Sequence, residues 1–319
     1  MTDISMIRAA AERLAPVVRK TPILNSPFVD EIAGRRVFVK AECLQHTGSF
    51  KFRGGWSAIS AMDEEQRKNG VIAFSSGNHA QGVSMAAKMH GIPAVIIMPS
   101  NAPKIKIENT KALGAEVVLY DRATESRDEI GARISAERKL QLIKPYDNQY
   151  VIAGQGTCGL EIAEQTNVKD ADVLVCCGGG GLTSGIALAL EAEAPSLRVR
   201  PCEPEGFDDV ARSLLTGAIQ TNNHVDGSIC DAIITPSPGE LTFPILNRLS
   251  GPGLVVTEEE CLRAMAIAYE RLKIVVEPGG AAALAAALFH SDSDQDVIVV
   301  ATGGNVDPAM FRRALDTIK

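Results

Sequence analysis

Residues 71–120 read VIAFSSGNHAQGVSMAAKMHGIPAVIIMPSNAPKIKIENTKALGAEVVLY. Three short apolar runs, VIAFSS (71–76), IPAVIIMP (92–99) and AEVVLY (115–120), alternate with stretches of helical length, HAQGVSMAAKMHG and PKIKIENTKALG; a third, TESRDEIGARISAERK, follows. Strands joined by connections this long cannot be hairpins. Each crossover carries a helix back over the sheet, so the strands run parallel and both faces are covered. The pattern predicts an open, twisted, parallel α/β sheet with right-handed crossovers.

Working outward, an amphipathic helix opens the chain, residues 36–42 read as a strand, and a glycine-bounded polar loop containing Lys51 follows. Beyond the sheet segment the register changes near Pro145 and Asn148, and the rhythm restarts with ADVLVCC (171–177), a helix from about Leu182, LRVRPCEPE (197–205) and DVIVVATGG (296–304). Thr257 and Glu260 make a capping box that opens a helix running to about Lys273. The prediction is a two-lobed molecule: a large domain from residues 1–68 and 148–319, and a small inserted domain at 69–147. A chain of 319 residues is long enough to divide in this way.

Composition narrows the function classes. Hydrophobic residues make up 45% and charged residues 22%, the range of ordinary globular chains, and the net charge of −7 opposes binding to a phosphate backbone, so nucleic acid is excluded as a partner. The first twenty residues carry charges every few positions and lack a signal-peptide core. The longest apolar run, 281–289, is too short to span a bilayer, so no membrane partner is expected and the location reads as cytoplasmic. Seven cysteines without a CxxC pair indicate neither a disulfide framework nor a zinc site. The five histidines show no metal-ligand spacing.

The chemistry lies in glycine clusters where strands give way to helices, the place where open α/β sheets bind ligands. Gly178, Gly179, Gly180 and Gly181 follow a buried strand and lead into a helix, a backbone suited to wrapping a phosphate; the plain alternative is a flexible turn. No Gly-Lys dipeptide occurs, which excludes a Walker loop. Gly154-Gln155-Gly156-Thr157-Cys158-Gly159 matches the dinucleotide fingerprint in form, but its upstream strand is poor and the acidic ribose partner is missing; it reads better as a loop that packs a helix closely. A single phosphate together with a lysine between aromatics, Phe50-Lys51-Phe52, points to pyridoxal phosphate, whose aldehyde condenses with an amine.

Taken with Ser75-Ser76-Gly77-Asn78-His79, Glu277-Pro278-Gly279-Gly280 and Thr302-Gly303-Gly304-Asn305, these motifs make the chain resemble the fold type II pyridoxal phosphate enzymes, tryptophan synthase β-like in architecture, and within them the serine/threonine dehydratase and serine racemase group. The resemblance runs from Thr21 to Asp307. It implies that Lys51 carries the cofactor as a Schiff base beside Phe50, and that Gly178–Gly181 and Leu182 cradle the phosphate. Asn78 meets the ring hydroxyl, with Glu277 nearby. Thr302 faces the pyridine nitrogen, and Ser75, Ser76, Asn78 and His79 bind the substrate carboxylate. A neutral hydroxyl at Thr302 does not hold the pyridine protonated, so the ring is a weaker electron sink and elimination is favoured over transamination. His79 reads as a hydrogen-bonding residue rather than a base.

By the same resemblance Glu203, the Phe207 carbonyl and Asp209 would ligate Mg²⁺ or Ca²⁺; otherwise Glu203–Asp209 is a solvated acidic turn that caps the next helix. Arg127 would lie on the small-domain side of the site, able to clamp a distal carboxylate, or else be a surface arginine paired with Glu125 or Asp128. Ser76 would be the base opposite Lys51 that racemisation requires, or else a helix N-cap that binds carboxylate. Two departures from the group, Ser228-Ile229-Cys230-Asp231-Ala232 and the second glycine of Glu277-Pro278-Gly279-Gly280, lie near the expected edge of the active site and bear on substrate identity rather than on the chemistry.

The implied reaction is β-elimination of water from a β-hydroxy-α-amino acid such as L-threonine or L-serine: Lys51 removes the α-proton, and the cofactor phosphate helps the hydroxyl leave. The product enamine hydrolyses to a 2-oxo acid and ammonia. Serine racemase and 3-hydroxyaspartate dehydratase are the alternatives within the group; a nicotinamide-dependent dehydrogenase and a catalytically dead ligand-binding module are the alternatives outside it. A homodimer is expected, with no regulatory domain after Asp307.

Overall fold

Ten strands assemble into two sheets in the computed structural model, which describes residues 1–102, 104–121, 123–224, 226–290 and 294–318. The first sheet is built from β1 (Ile23–Leu24), β2 (Val37–Lys40), β7 (Ala171–Cys176), β8 (Leu197–Pro204), β9 (Leu254–Val256) and β10 (Val297–Val300), in the order β1-β2-β10-β7-β8-β9. All its pairings are parallel except β1 with β2. The second sheet contains β3 (Val71–Phe74), β4 (Ala94–Pro99), β5 (Glu116–Tyr120) and β6 (Gln141–Leu142), ordered β5-β4-β3-β6 and wholly parallel. The α/β parallel-sheet reading therefore holds. The helix read from Pro103 runs from Lys104 to Ala112; Pro103 lies outside the described residues, as does Lys319.

The central strands β7 and β10 are buried along their whole length because helices cover both faces. The helix Pro278–Phe289, apolar all round, packs on one side, and Gly181–Glu193 packs on the other. Every strand of the second sheet comes from the contiguous stretch 71–142, whereas the first sheet draws on chain from both sides of it.

Two expectations are corrected and a third is borne out with a change of helix type. The Gly154–Gly159 run lies inside the helix Gln149–Gln165, neither as a nucleotide-binding turn nor as a loop, so the dehydrogenase reading loses its motif. Its glycines are there for close approach. A Cβ at Gly154 would stand 2.5 Å from the Arg53 carbonyl oxygen, and one at Gly156 would stand 2.8 Å from that of Gly185; a Cβ at Gly185 would in turn meet the Ile152 carbonyl oxygen at 2.5 Å. The strand read over 36–42 stops at Lys40, and Glu42–Leu44 turns as a 3₁₀ helix. Glu42 is drawn into a buried charge cluster, where it accepts from Arg53 (2.7 and 2.8 Å) and Thr21 (2.5 Å), while Glu161 also accepts from Arg53 and from Lys40. The Thr257–Glu260 capping box is formed as read, but its helix (Glu258–Ile267) continues as a wider π turn over Ala268–Leu272 before stopping at Lys273.

Candidate active site

A cavity of about 360 Å³ opens between the two sheets at the carboxyl ends of their strands. Lys51 lines it as the first residue of the helix Lys51–Ser60. The loop that delivers it is tied to the end of β10: Phe50 N–H donates to the Thr302 carbonyl at 3.1 Å, and Ser49 bridges Gly303. The Lys51 ammonium donates to the Pro145 carbonyl at 3.1 Å and lies 5.0 Å from the Phe50 ring centre. Burial lowers its pKa to about 8, with the nearby Glu277 partly opposing the shift. A neutral amine is therefore accessible near neutral pH, as a Schiff-base lysine requires.

Gly178–Gly181 turn from β7 into the helix Gly181–Glu193 along the same wall, with Gly180 at φ +88° as the N-cap and Leu182 in the first turn. The loop has no room for side chains. A Cβ at Gly179 would lie 2.3 Å from the Tyr146 ring, and one at Gly178 would lie 3.0 Å from the Ile233 carbonyl oxygen. Two cavity-lining hydroxyls beside this loop, Thr183 Oγ1 and Thr235 Oγ1, are buried without a hydrogen-bond partner. Buried hydroxyls are seldom left unpaired. Free N–H groups at a helix start, a glycine cradle and two unpaired hydroxyls form a donor set suited to a phosphate.

Ser75 and Ser76 bridge β3 to the helix Asn78–His90, and both line the cavity. The N-cap of that helix is Gly77, not Ser76, and the Ser75 hydroxyl accepts from Gly77 N–H at 3.1 Å. The N-cap role considered for Ser76 is thereby corrected; its hydroxyl is free to face the cavity. The Asn78 amide is held on both sides, donating to Glu277 Oε1 at 2.5 Å and accepting from Asn305 Nδ2 at 2.7 Å. Glu277 is raised to about 7, chiefly by burial. His79 is buried, and its Nε2 pairs with the Ile143 carbonyl at 2.8 Å, which fixes the proton on Nε2; burial and the Lys51 charge lower its pKa to about 3. Thr302 is buried on the cavity wall, next to Gly303, whose carbonyl accepts from Glu277 N–H at 3.0 Å.

Arg127 begins the helix Arg127–Arg138 and reaches the cavity, with its nearest carboxylate at Asp128, 3.8 Å away. Glu203, Phe207 and Asp209 are buried, which corrects the solvated part of the acidic-turn reading, whereas its helix-capping part holds at Glu203. Glu203 accepts from Val210 and Ala211 N–H at 2.9 and 2.7 Å, and Asp209 accepts from Asn222 at 2.5 Å; Asp209 Oδ2 is buried with no partner. Burial raises both carboxyls, that of Asp209 to about 7. Among the described residues no group of three or more His, Cys, Asp or Glu side chains could hold a metal, so a cation here would need carbonyl or water oxygens to complete its shell.

The residues 143–148 between β6 and the next helix carry no motif, yet three of them touch the site: the Ile143 carbonyl at His79, the Pro145 carbonyl at Lys51 and the Tyr146 ring on the glycine loop. Lys106 and Asp231 also meet at the cavity mouth, 3.0 Å apart. None of these contacts leaves a signal in local sequence, because each joins segments distant along the chain.

A family model described as pyridoxal-phosphate dependent enzyme matches residues 14–303. The chain is 45% identical to an L-threo-3-hydroxyaspartate ammonia-lyase of Pseudomonas sp, covering 93% of each, and 42% identical to a serine racemase of Oryza sativa subsp. indica, covering 98% of this chain and 94% of that protein. Among solved structures, a serine racemase of maize superposes with a TM-score of 0.92 at 40% identity, over 99% of this chain and 98% of that one.

Proposed function

The chain belongs to the pyridoxal-phosphate dependent enzymes, and from that premise we propose that it removes water from a β-hydroxy-α-amino acid such as L-threonine or L-serine, yielding a 2-oxo acid and ammonia. The observation that carries the reading is Lys51: an amine of lowered pKa on the wall of a cavity whose other side is the glycine loop with its unpaired Thr183 and Thr235 hydroxyls.

When bound, the cofactor supplies an electron sink for charge developing at the substrate α-carbon. The chain's own groups do the rest. The helix start at Asn78, with Ser75 and Ser76, offers N–H and O–H donors to the substrate carboxylate. The Lys51 amine takes the α-proton, the β-hydroxyl takes up a proton and departs as water, and the enamine so released is hydrolysed by one water to the 2-oxo acid and ammonia. Thr302 would face the ring nitrogen, and its neutral hydroxyl would not hold that nitrogen protonated, a setting that would favour elimination; Glu277 with Asn305 fixes the Asn78 amide. Borohydride reduction followed by peptide mass spectrometry should place the cofactor on Lys51, and Lys51→Ala should abolish oxo acid release from L-serine and L-threonine. Labelling at Lys40 or another lysine would overturn the assignment.

A second reading, racemisation, draws support from Ser76, whose hydroxyl lines the same cavity as Lys51, and from the racemase relative. Turnover of 3-hydroxyaspartate draws support from Arg127 at the cavity wall. We further propose that Glu203, the Phe207 carbonyl and Asp209 hold Mg²⁺ or Ca²⁺, because two carboxyls are buried together there and Asp209 Oδ2 has no hydrogen-bond partner. The stretch 69–147 is proposed as a lobe that closes on substrate. The exposed Phe28 and Ile32 on one helix, and Tyr269 and Val275, support a homodimer. No helix among the described residues is long and apolar enough to cross a membrane. All seven cysteines are free, which supports a cytoplasmic location.

A further inference from the structure

Lys106 stands on the helix Lys104–Ala112 of the second-sheet segment, and Asp231 stands in the turn that follows Cys230. Their side chains meet at 3.0 Å, and both line the cavity that holds Lys51. The charges of both are felt at Glu277, the carboxyl that holds Asn78, so the pair sits within electrostatic reach of the reacting end. Arg127 lines the same cavity, 3.8 Å from Asp128.

We propose that Lys106 is a specificity residue for substrates with a second carboxylate, and that Asp231 occupies its ammonium until such a substrate arrives. The inference rests on the amino-acid elimination reading, with the substrate α-carboxylate at the start of the helix Asn78–His90. A substrate with a neutral β-substituent leaves the Lys106–Asp231 pair intact. A dicarboxylic amino acid presents an anion at the mouth, and its distal carboxylate exchanges with Asp231 for Lys106, beside Arg127. The exchange is cheap because Asp231 is 60% exposed and an ion pair so open to water contributes little. Released into solvent, Asp231 loses little, whereas the enclosed distal carboxylate gains a charge-assisted hydrogen bond. Asp231 thus acts as an internal competitor that sets how strongly a dicarboxylate is preferred.

The test uses the holoenzyme and two kinds of readout. The kcat/KM ratio of 3-hydroxyaspartate to serine should fall at least tenfold in Lys106→Gln, stay within threefold of the parent in Lys106→Arg, and rise in Asp231→Asn. Binding of the unreactive pair succinate and butyrate, followed by thermal shift, should show Lys106→Gln weakening succinate at least fivefold more than butyrate. A ratio unchanged in Lys106→Gln, or equal losses on both substrates and both probes, would mean that the pair only joins the two segments and would overturn the proposal. Failure of the parent enzyme to turn over either substrate would instead strike the elimination reading, and the succinate–butyrate comparison would still decide the role of Lys106.

Discussion

At the scale of single residues the site is a set of side chains whose ordinary titration has been displaced by burial. His79 is the clearest case. Water is stripped from its ring and the positive Lys51 is near, so the folded protein holds it neutral down to a pH of about 3. Between its ordinary value near 6.5 and about 3, the unfolded chain binds a proton that the folded chain refuses; stability is therefore lost as pH falls through that window, by about 1.4 kcal/mol per unit. His79→Gln should flatten the fall in urea midpoint between pH 6 and pH 4 by about one proton. At Ser76, replacement by alanine should keep most dehydration of the L-substrate and remove activity on D-serine, as read by oxo acid release and chiral chromatography; equal losses on both enantiomers would leave Ser76 as a carboxylate ligand only. Arg127→Ala should cost more on 3-hydroxyaspartate than on serine, and equal losses would end the clamp reading. Lys51, Asn78 and the four glycines are legible in the sequence because each sits in a short motif at the end of an element. Thr183, Thr235 and Tyr146 are not, because what marks them is an unpaired hydroxyl or a ring laid on a distant loop.

At the scale of elements, the instructive pairing is the helix Gln149–Gln165 with Gly181–Glu193. Gly156 and Gly185 remove each other's side chains so that the two backbones nearly touch. That contact holds the helix whose first turn borders the cavity. Gly156→Ala places a Cβ against a carbonyl that cannot rotate away, and it should destabilise the protein by about 1–3 kcal/mol, measured by denaturant midpoint. Cofactor affinity should fall with it, because the glycine loop moves with the helix. The sequence displayed these glycines plainly, but their spacing matched a nucleotide fingerprint as well as a packing face. Only the helical φ/ψ of the whole segment decides between the two, and that depends on a partner helix from elsewhere in the chain. The strand–helix alternation, by contrast, was readable because fully buried parallel strands are continuous apolar runs, here VIAF, AVIIMP and ADVLVC.

At the scale of the whole molecule, two sheets face one cavity, and the buried carboxyls of Glu203 and Asp209 stand where β8 of the larger one gives way to its helix. If a divalent ion compensates them, EDTA should lower the melting temperature by several degrees and Mg²⁺ or Ca²⁺ should restore it; indifference to both would remove the cation from the description. The order of the strands has a consequence for synthesis. The second sheet is completed from chain that leaves the ribosome as one uninterrupted stretch, and it can form as soon as β6 has emerged. The first sheet cannot. Its strand β10 lies between β2 and β7, so until the last part of the chain is made, a fully apolar slot stays open at the sheet's centre. The nascent chain therefore exposes unpaired, fully apolar strand edges from the emergence of β7 until β10 arrives, and a ribosome stalled in that interval displays a finished second sheet beside an unclosed first one, the form in which a chaperone would meet this protein.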